Sequence, residues 1–186
     1  ARRSVVMGGP TEARSMWAPS DHHLFCGSVH DGAPGRLDEA ARRLSHEELA
    51  AARILAADGH DVRSLDEGRN GRCPDLAVCD TTVEVKSFRP ADERGRPPSD
   101  RSVFNKLVDA AGQSRNVVLI GYGSGLTADT VRAGLARYAA DRRRTPGLDS
   151  IRALGDGFDL GWSRRLVVER SREPVRRQAP SLGIGH

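Results

Sequence analysis

The sequence of 186 residues predicts an α/β fold in which helices flank a mixed central β-sheet. Helical and strand patterns alternate between residues 45 and 160, as expected when helices cover both faces of a sheet. A two-stranded hairpin over 74–87 must be antiparallel. The apolar run 117–120 is typical of a strand that is buried on both faces.

The first helix is predicted from helical spacing of apolar residues over 37–57, interrupted at Ser45. Ser45 followed by Glu48 is a capping-box sequence, in which Ser45 caps the helix and Glu48 bonds back to it. Glu48 shares a helix face with Leu55 and should point inward, whereas Glu47 is rotated by about 100°. Either glutamate could reach the hairpin, and we favour Glu48. Its alternative role is to close the capping box alone.

The hairpin is predicted from alternation with period two, with a turn at Asp80-Thr81. One face is apolar and comprises Leu76, Val78, Val83 and Val85. The other face carries Asp75, Glu84 and Lys86. Two carboxylates and an ammonium on one sheet face can hold a divalent metal and activate a water.

The competing interpretation of this face is an ordinary solvated ion pair between Glu84 and Lys86. Lysine usage favours the functional interpretation. The chain has 29 lysines and arginines, of which only Lys86 and Lys106 are lysines. Lysine is a compact donor that can lie against a water or a scissile phosphate, whereas arginine is a wide planar fork.

Downstream of the hairpin, residues 89–101 predict a basic, proline-rich loop. It is either a solvated loop or a segment through which Arg89 contacts a phosphate backbone. Ser99 or Ser102 can cap the next helix, on which Lys106 and Gln113 should lie on nearly the same side. Both are candidate phosphate ligands or exposed polar residues. A helix capped by Thr127 and two short strands, 151–154 and 158–160, complete the pattern.

Composition limits the classes of function. The net charge of +4 mildly favours a polyanionic partner, and 4% aromatic residues argue against base-stacking platforms. No apolar run is long enough for a transmembrane helix. An odd cysteine count without a CxxC pair argues against a disulfide framework or zinc ribbon, so we expect Cys26, Cys73 and Cys79 to be reduced.

We expect three segments: an N-terminal extension or linker over 1–36, one domain over 37–162, and a basic tail over 163–186. The chain starts at Ala1 rather than Met, which leads us to expect a piece of a longer protein.

Pro74-Asp75 and Glu84-Val85-Lys86 resemble the signature of the PD-(D/E)xK nuclease superfamily. The resemblance implies a restriction-endonuclease-like core and a catalytic set of Glu48, Asp75, Glu84 and Lys86. Its metal ligands would be Asp75 and Glu84, with Glu48. The implied ion is Mg²⁺, with Zn²⁺ or Mn²⁺ as options.

A narrower resemblance is to the C-terminal tRNA-nuclease domains of contact-dependent growth-inhibition (CDI) toxins. It rests on the following matching positions: Glu48, Ala52, Gly59, Pro74-Asp75, the run 84–87, Ala110, Gln113-Ser114 and the run 117–120. Ser87, Arg89, Lys106 and Gln113 are the candidate substrate-binding residues.

The resemblance implies a domain delivered as part of a larger secreted toxin, acting on tRNA in the target-cell cytoplasm. It also implies a cognate immunity protein. A DNA endonuclease of the restriction or repair type, which would be cytoplasmic, shares the same core. A non-catalytic nucleic-acid-binding module and an assembly fragment are the alternatives outside enzymes.

Overall fold

The computed structural model describes residues 17–19, 24–25, 33–66, 73–90, 95–141 and 147–164. The described residues form three helices: α1 (His46–Ala57), α2 (Asp100–Ala111) and α3 (Ala128–Ala140). Their eight strands are β1 (Trp17–Pro19), β2 (Leu37–Asp38), β3 (Val62–Ser64), β4 (Leu76–Val78), β5 (Thr81–Ser87), β6 (Asn116–Ile120), β7 (Ser150–Gly155) and β8 (Phe158–Arg164).

The strands form one mixed sheet in the order β1-β8-β7-β6-β5-β4-β3-β2. Strands β5, β6 and β7 are parallel to one another, and β2 is parallel to β3. The remaining neighbours are antiparallel. This arrangement confirms the predicted α/β class with a mixed central sheet.

Two hydrophobic cores cover opposite faces of the sheet. Helix α1 packs its alanines and Leu55 against Val83 and Val85, whereas α2 and α3 cover the other face. Strand β6 contributes to both cores, with Val117 on the α2–α3 side and Val118 on the α1 side. The prediction that this strand is buried on both faces is therefore confirmed.

The first helix is shorter than the sequence pattern indicated, because it begins at His46 and not near Leu37. Leu37 instead pairs with Val62 as part of β2. Gly35 makes this pairing feasible, since a Cβ there would lie 2.1 Å from the His60 carbonyl oxygen. Sheet pairing thus prevails over the helical spacing of residues 37–44.

The central hairpin turns at Cys79-Asp80, one residue earlier than predicted. Cys79 has a φ of 49° and is the only described residue other than glycine with a positive φ. Cys79 is also disulfide-bonded, while Cys73 is a free, exposed thiol. The expectation of reduced cysteines is wrong for Cys79, because an odd count excludes a complete framework but not a single bridge.

The helix caps follow the sequence closely. Ser45 and Glu48 form a reciprocal capping box at α1, and Ser99 forms one with Ser102 at α2. Thr127 caps α3. The arginines at 142–144 and the predicted tail beyond Arg164 lie outside the described residues.

The edge of the sheet near the tail includes chain from the predicted N-terminal extension. Strand β1 pairs antiparallel with the end of β8, which continues to Arg164. None of the described helices is both long enough and apolar enough to cross a bilayer.

Candidate active site

Asp75 and Glu84 are brought together by the register of the hairpin. Leu76 lies opposite Val83, so Asp75 and Glu84 occupy the next facing positions and project from the same side of the sheet. The backbone N–H of Val85 donates to Asp75 Oδ2 at 2.8 Å, which fixes the carboxylate against β5. The two-residue turn is therefore what juxtaposes the two acids.

Glu84 is a buried carboxylate whose two oxygens differ in hydrogen bonding. Only 2% of the residue is exposed. Its Oε1 accepts from Lys86 Nζ at 2.5 Å, whereas its Oε2 is buried and has no hydrogen-bond partner among the described residues. Burial raises the pKa of Glu84, although the hydrogen bond and charge of Lys86 oppose that shift.

Arg42 joins the helix glutamate to this pair. It donates to both oxygens of Glu48, at 2.7 and 2.9 Å, and to Asp75 Oδ1 at 3.2 Å. Glu48 is half-buried at the start of α1, whereas Glu47 is exposed, so the predicted orientation of the two glutamates is confirmed. Sequence reasoning missed Arg42, for which the only signal was its place just before a capping box.

The two acids bound to Arg42 differ in basicity. Burial opposes ionisation of Glu48, but hydrogen bonds from Arg42, the Ser45 N–H and Asp75 prevail and lower its pKa to about 2. Burial and the charges of Glu84 and Glu48 raise the pKa of Asp75 to about 7, despite the Val85 N–H. Of the two acids bound to Arg42, Asp75 is therefore the one that holds a proton to the higher pH.

The four candidate substrate-binding residues surround β5 and α2. Ser87 ends β5 and Arg89 is exposed just beyond it. Lys106 lies within α2 and is partly buried. Gln113 is not on the helix as predicted, because α2 ends at Ala111 and Gln113 follows in a hydrogen-bonded turn. Gly112 is the C-cap of the helix, and its N–H donates to the Asp109 carbonyl.

The donor chemistry of the cluster suits a hard divalent cation, since carboxylate oxygens are the ligands that Mg²⁺ prefers. The buried, unpartnered Glu84 Oε2 is the atom most suited to such an ion. The described part of the chain, however, contains no group of three or more acidic, histidine or cysteine side chains arranged around a common metal position. Arg42 holds two of the three carboxylates.

No protein-family model and no curated protein matches the chain. A solved structure that is similar to it is a CdiA-CT/CdiI toxin and immunity complex from Burkholderia pseudomallei. The similarity covers 69% of this chain and 99% of the matched chain, with 18% sequence identity and a TM-score of 0.47. A likeness this distant assigns no activity to this chain.

Proposed function

We propose that the protein is a metal-dependent nuclease that hydrolyses phosphodiester bonds at the Asp75–Glu84–Lys86 cluster. The observation that carries this proposal is the buried, unpartnered Oε2 of Glu84 beside a facing carboxylate and a lysine. A buried polar atom without a partner is rare in a folded protein, and beside a second carboxylate it supports a position completed by a cation.

Asp75 and Glu84 are the two carboxylates that would hold the ion. A bound divalent cation would supply Lewis acidity and lower the pKa of a water. Burial and the neighbouring carboxylates raise the pKa of Asp75 to about 7, and a bound cation would lower that pKa and displace the proton. The hydrogen bond and charge of Lys86 favour the ionised form of Glu84 against its burial, and Lys86 would place positive charge near a bound phosphate.

A structural role for the same residues is less consistent with their geometry. An ordinary surface pair would leave both partners solvated, whereas the side chains of Lys86 and Glu84 are 19% and 3% exposed. Burying a carboxylate without completing its hydrogen bonds costs stability. Proteins retain this loss of stability at sites where the carboxylate takes part in binding or catalysis.

The substrate we propose is RNA, with tRNA favoured by the resemblance to CDI tRNA-nuclease domains. The net charge of +4 suits any nucleic acid. Three exposed arginines that follow β5 in the chain could contact backbone phosphates: Arg89, Arg96 and Arg101. The same resemblance supports delivery within a larger toxin into a target cell, and binding by an immunity protein.

The test is a paired digestion. Purified protein is incubated with total tRNA and with plasmid DNA, in Mg²⁺ and in EDTA. Discrete tRNA fragments that require Mg²⁺ would support the proposal. Cleavage of plasmid alone would keep the mechanism and reassign the substrate to DNA. Absence of cleavage of both polymers with Mg²⁺, Mn²⁺ or Zn²⁺ would overturn the nuclease proposal in favour of a binding or assembly role.

Matched variants make the digestion specific to the site. Lys86→Ala should abolish cleavage, because it removes the ammonium beside Glu84. Glu47→Gln is the control, since Glu47 is an exposed glutamate adjacent to Glu48 in the same helix turn. Wild-type cleavage by folded Lys86→Ala would rule out the proposed role of Lys86.

A further inference from the structure

Arg42 forms hydrogen bonds with backbone carbonyls as well as with the acids that it neutralises. Among the described residues, its guanidinium donates two hydrogen bonds to Glu48, one to Asp75, and one each to the backbone carbonyls of Leu65 and Arg43. Its own backbone N–H donates to Ser64 Oγ at 3.2 Å. All three nitrogens of the guanidinium take part in these contacts.

We propose that Arg42 is a fixed counter-cation that fills one side of the acidic cluster, so that a single metal ion binds on the Asp75–Glu84 side and Glu48 acts as a positioning residue through Arg42. This inference rests on the nuclease function proposed above. It assigns Glu48 a different role from the sequence-based prediction, in which Glu48 is a metal ligand.

The geometry disfavours a metal on Glu48. Both of its oxygens already accept from Arg42, and Oε2 also accepts from the Ser45 N–H at 2.8 Å. A metal at Glu48 would therefore lie beside the guanidinium, whose positive charge would repel it.

On the Asp75–Glu84 side of the cluster, carboxylate oxygens remain that can bind a cation. Glu84 Oε2 is buried without a hydrogen-bond partner among the described residues, and Asp75 faces it across the hairpin. Arg42 donates to Asp75 Oδ1, and Oδ2 accepts from the Val85 N–H. Each carboxylate oxygen has two lone pairs, so both Asp75 oxygens keep capacity for a further ligand.

The test counts Mn²⁺ ions bound to the protein without measuring cleavage. Free Mn²⁺ is titrated by electron paramagnetic resonance against wild type, Glu84→Gln, Glu48→Gln and the Glu47→Gln control. We expect a single Mn²⁺ per wild-type chain. Glu84→Gln should weaken its binding more than about tenfold, while Glu48→Gln and Glu47→Gln should both stay within about threefold of wild type.

Three results separate the inference from the proposed function. Equal losses of Mn²⁺ affinity in Glu48→Gln and Glu84→Gln, or two Mn²⁺ per wild-type chain, would overturn the inference and leave the nuclease proposal standing. Failure of wild type to bind Mn²⁺ would overturn the metal-dependent function, and the inference with it.

A positioning role also predicts how the variants combine. Glu48→Gln and Arg42→Gln should each lower kcat for nucleic-acid cleavage by about tenfold or more. The double variant should be no slower than the worse single variant, because the two residues act as a unit. Multiplicative losses in the double variant, with all proteins folded by thermal melting, would contradict coupling through Arg42.

Discussion

Two clusters of buried charge in this protein are built from the same kinds of side chain, but they bury opposite partners. At Arg152 the buried group is the cation: its residue is 1% exposed, and it pairs with Asp58 and Asp159. Those acids are 27% and 33% exposed. At the candidate active site the most deeply buried charge is an acid, Glu84.

The identity of the buried partner distinguishes a structural ion-pair cluster from a candidate catalytic site. Burial works against the charge of Arg152, but its hydrogen bonds to Asp159 and Asp58 outweigh that effect and raise its pKa, so the cluster is stable in its ionised form. Both of its acids reach solvent, and the cluster ties the end of α1 to β7 and β8. Glu84, in contrast, keeps an oxygen that no described group satisfies.

The largest expected effect is on catalysis at Glu84. Glu84→Gln keeps the shape of the side chain but removes the charge, and we expect cleavage to fall by about 10²–10⁴-fold. The free energy of unfolding should change by less than about 1 kcal/mol, because an incompletely satisfied buried carboxylate contributes little stability. Cleavage assays and urea unfolding measure the two quantities. If Glu84→Gln were destabilised but still cleaved normally, the Glu84 cluster would be structural and not catalytic.

Arg152→Met should show the opposite profile. We expect a loss of about 2 kcal/mol in the free energy of unfolding, less than for a fully buried pair because Asp58 and Asp159 remain partly solvated. Specific activity per folded molecule should stay near wild type. Arg132→Met, at an exposed pair within one helix turn, serves as the matched control in urea unfolding.

The pH dependence of stability gives a smaller but more specific signal. The folded-state pKa of Asp75 is about 7, above its ordinary value of 3.8. The folded state therefore binds this proton more tightly, and stability falls as pH rises from about 4 to about 7. Asp75→Asn cannot titrate, so in EDTA it should gain about 1–2 kcal/mol relative to wild type between about pH 5 and about pH 8, after discounting for partial exposure.

Unfolding in urea across that range tests the prediction. Glu48 contributes with the opposite sign, because its lowered pKa gives stability that is lost only as pH falls from 4.5 towards about 2. Measurements above pH 4.5 therefore exclude the contribution of Glu48, and the difference between wild type and Asp75→Asn separates Asp75 from Glu84, whose pKa is also raised. Parallel curves for wild type and Asp75→Asn would show that Asp75 has an ordinary pKa.

The smallest effect is expected where both partners are solvated. Arg115 pairs with Asp149 at 2.5 Å, with side chains 57% and 40% exposed. Arg115→Gln should leave the free energy of unfolding unchanged within the error of urea unfolding, because solvent screens such a pair. A larger loss in urea unfolding would show that ion-pair geometry, and not burial, governs stability in this protein.

The parts of the site that sequence could predict are those set by local periodicity. Alternation placed Asp75, Glu84 and Lys86 on one face, and the capping-box pattern placed Glu48 at the start of a helix. These features depend on spacings of a few residues, which a single sequence contains.

Arg42 and Arg152 could not be predicted, because long-range packing determines their partners. Arg42 lies in an irregular segment whose path is fixed by pairing of β2 with β3 and by the hydrogen bonds that Arg42 donates to Leu65 and Ser64. Arg152 sits inside an apolar strand pattern, and its partner Asp58 is 94 positions away in the chain. Periodicity reports which face a side chain takes, not which charge meets it there.

Because the sequence has only two lysines, chemical labelling of Lys86 can report on the candidate active site. Lys86 and Lys106 are the only side-chain amines in the sequence, so an amine-selective reagent yields a mass spectrum with very few side-chain products. Lys86 lies 2.5 Å from Glu84 Oε1 and is 19% exposed, so its acylation rate depends on access to the cluster. Footprinting of this one amine would therefore follow occupancy of the site by cations, nucleic acids or a protein inhibitor, without requiring knowledge of the substrate.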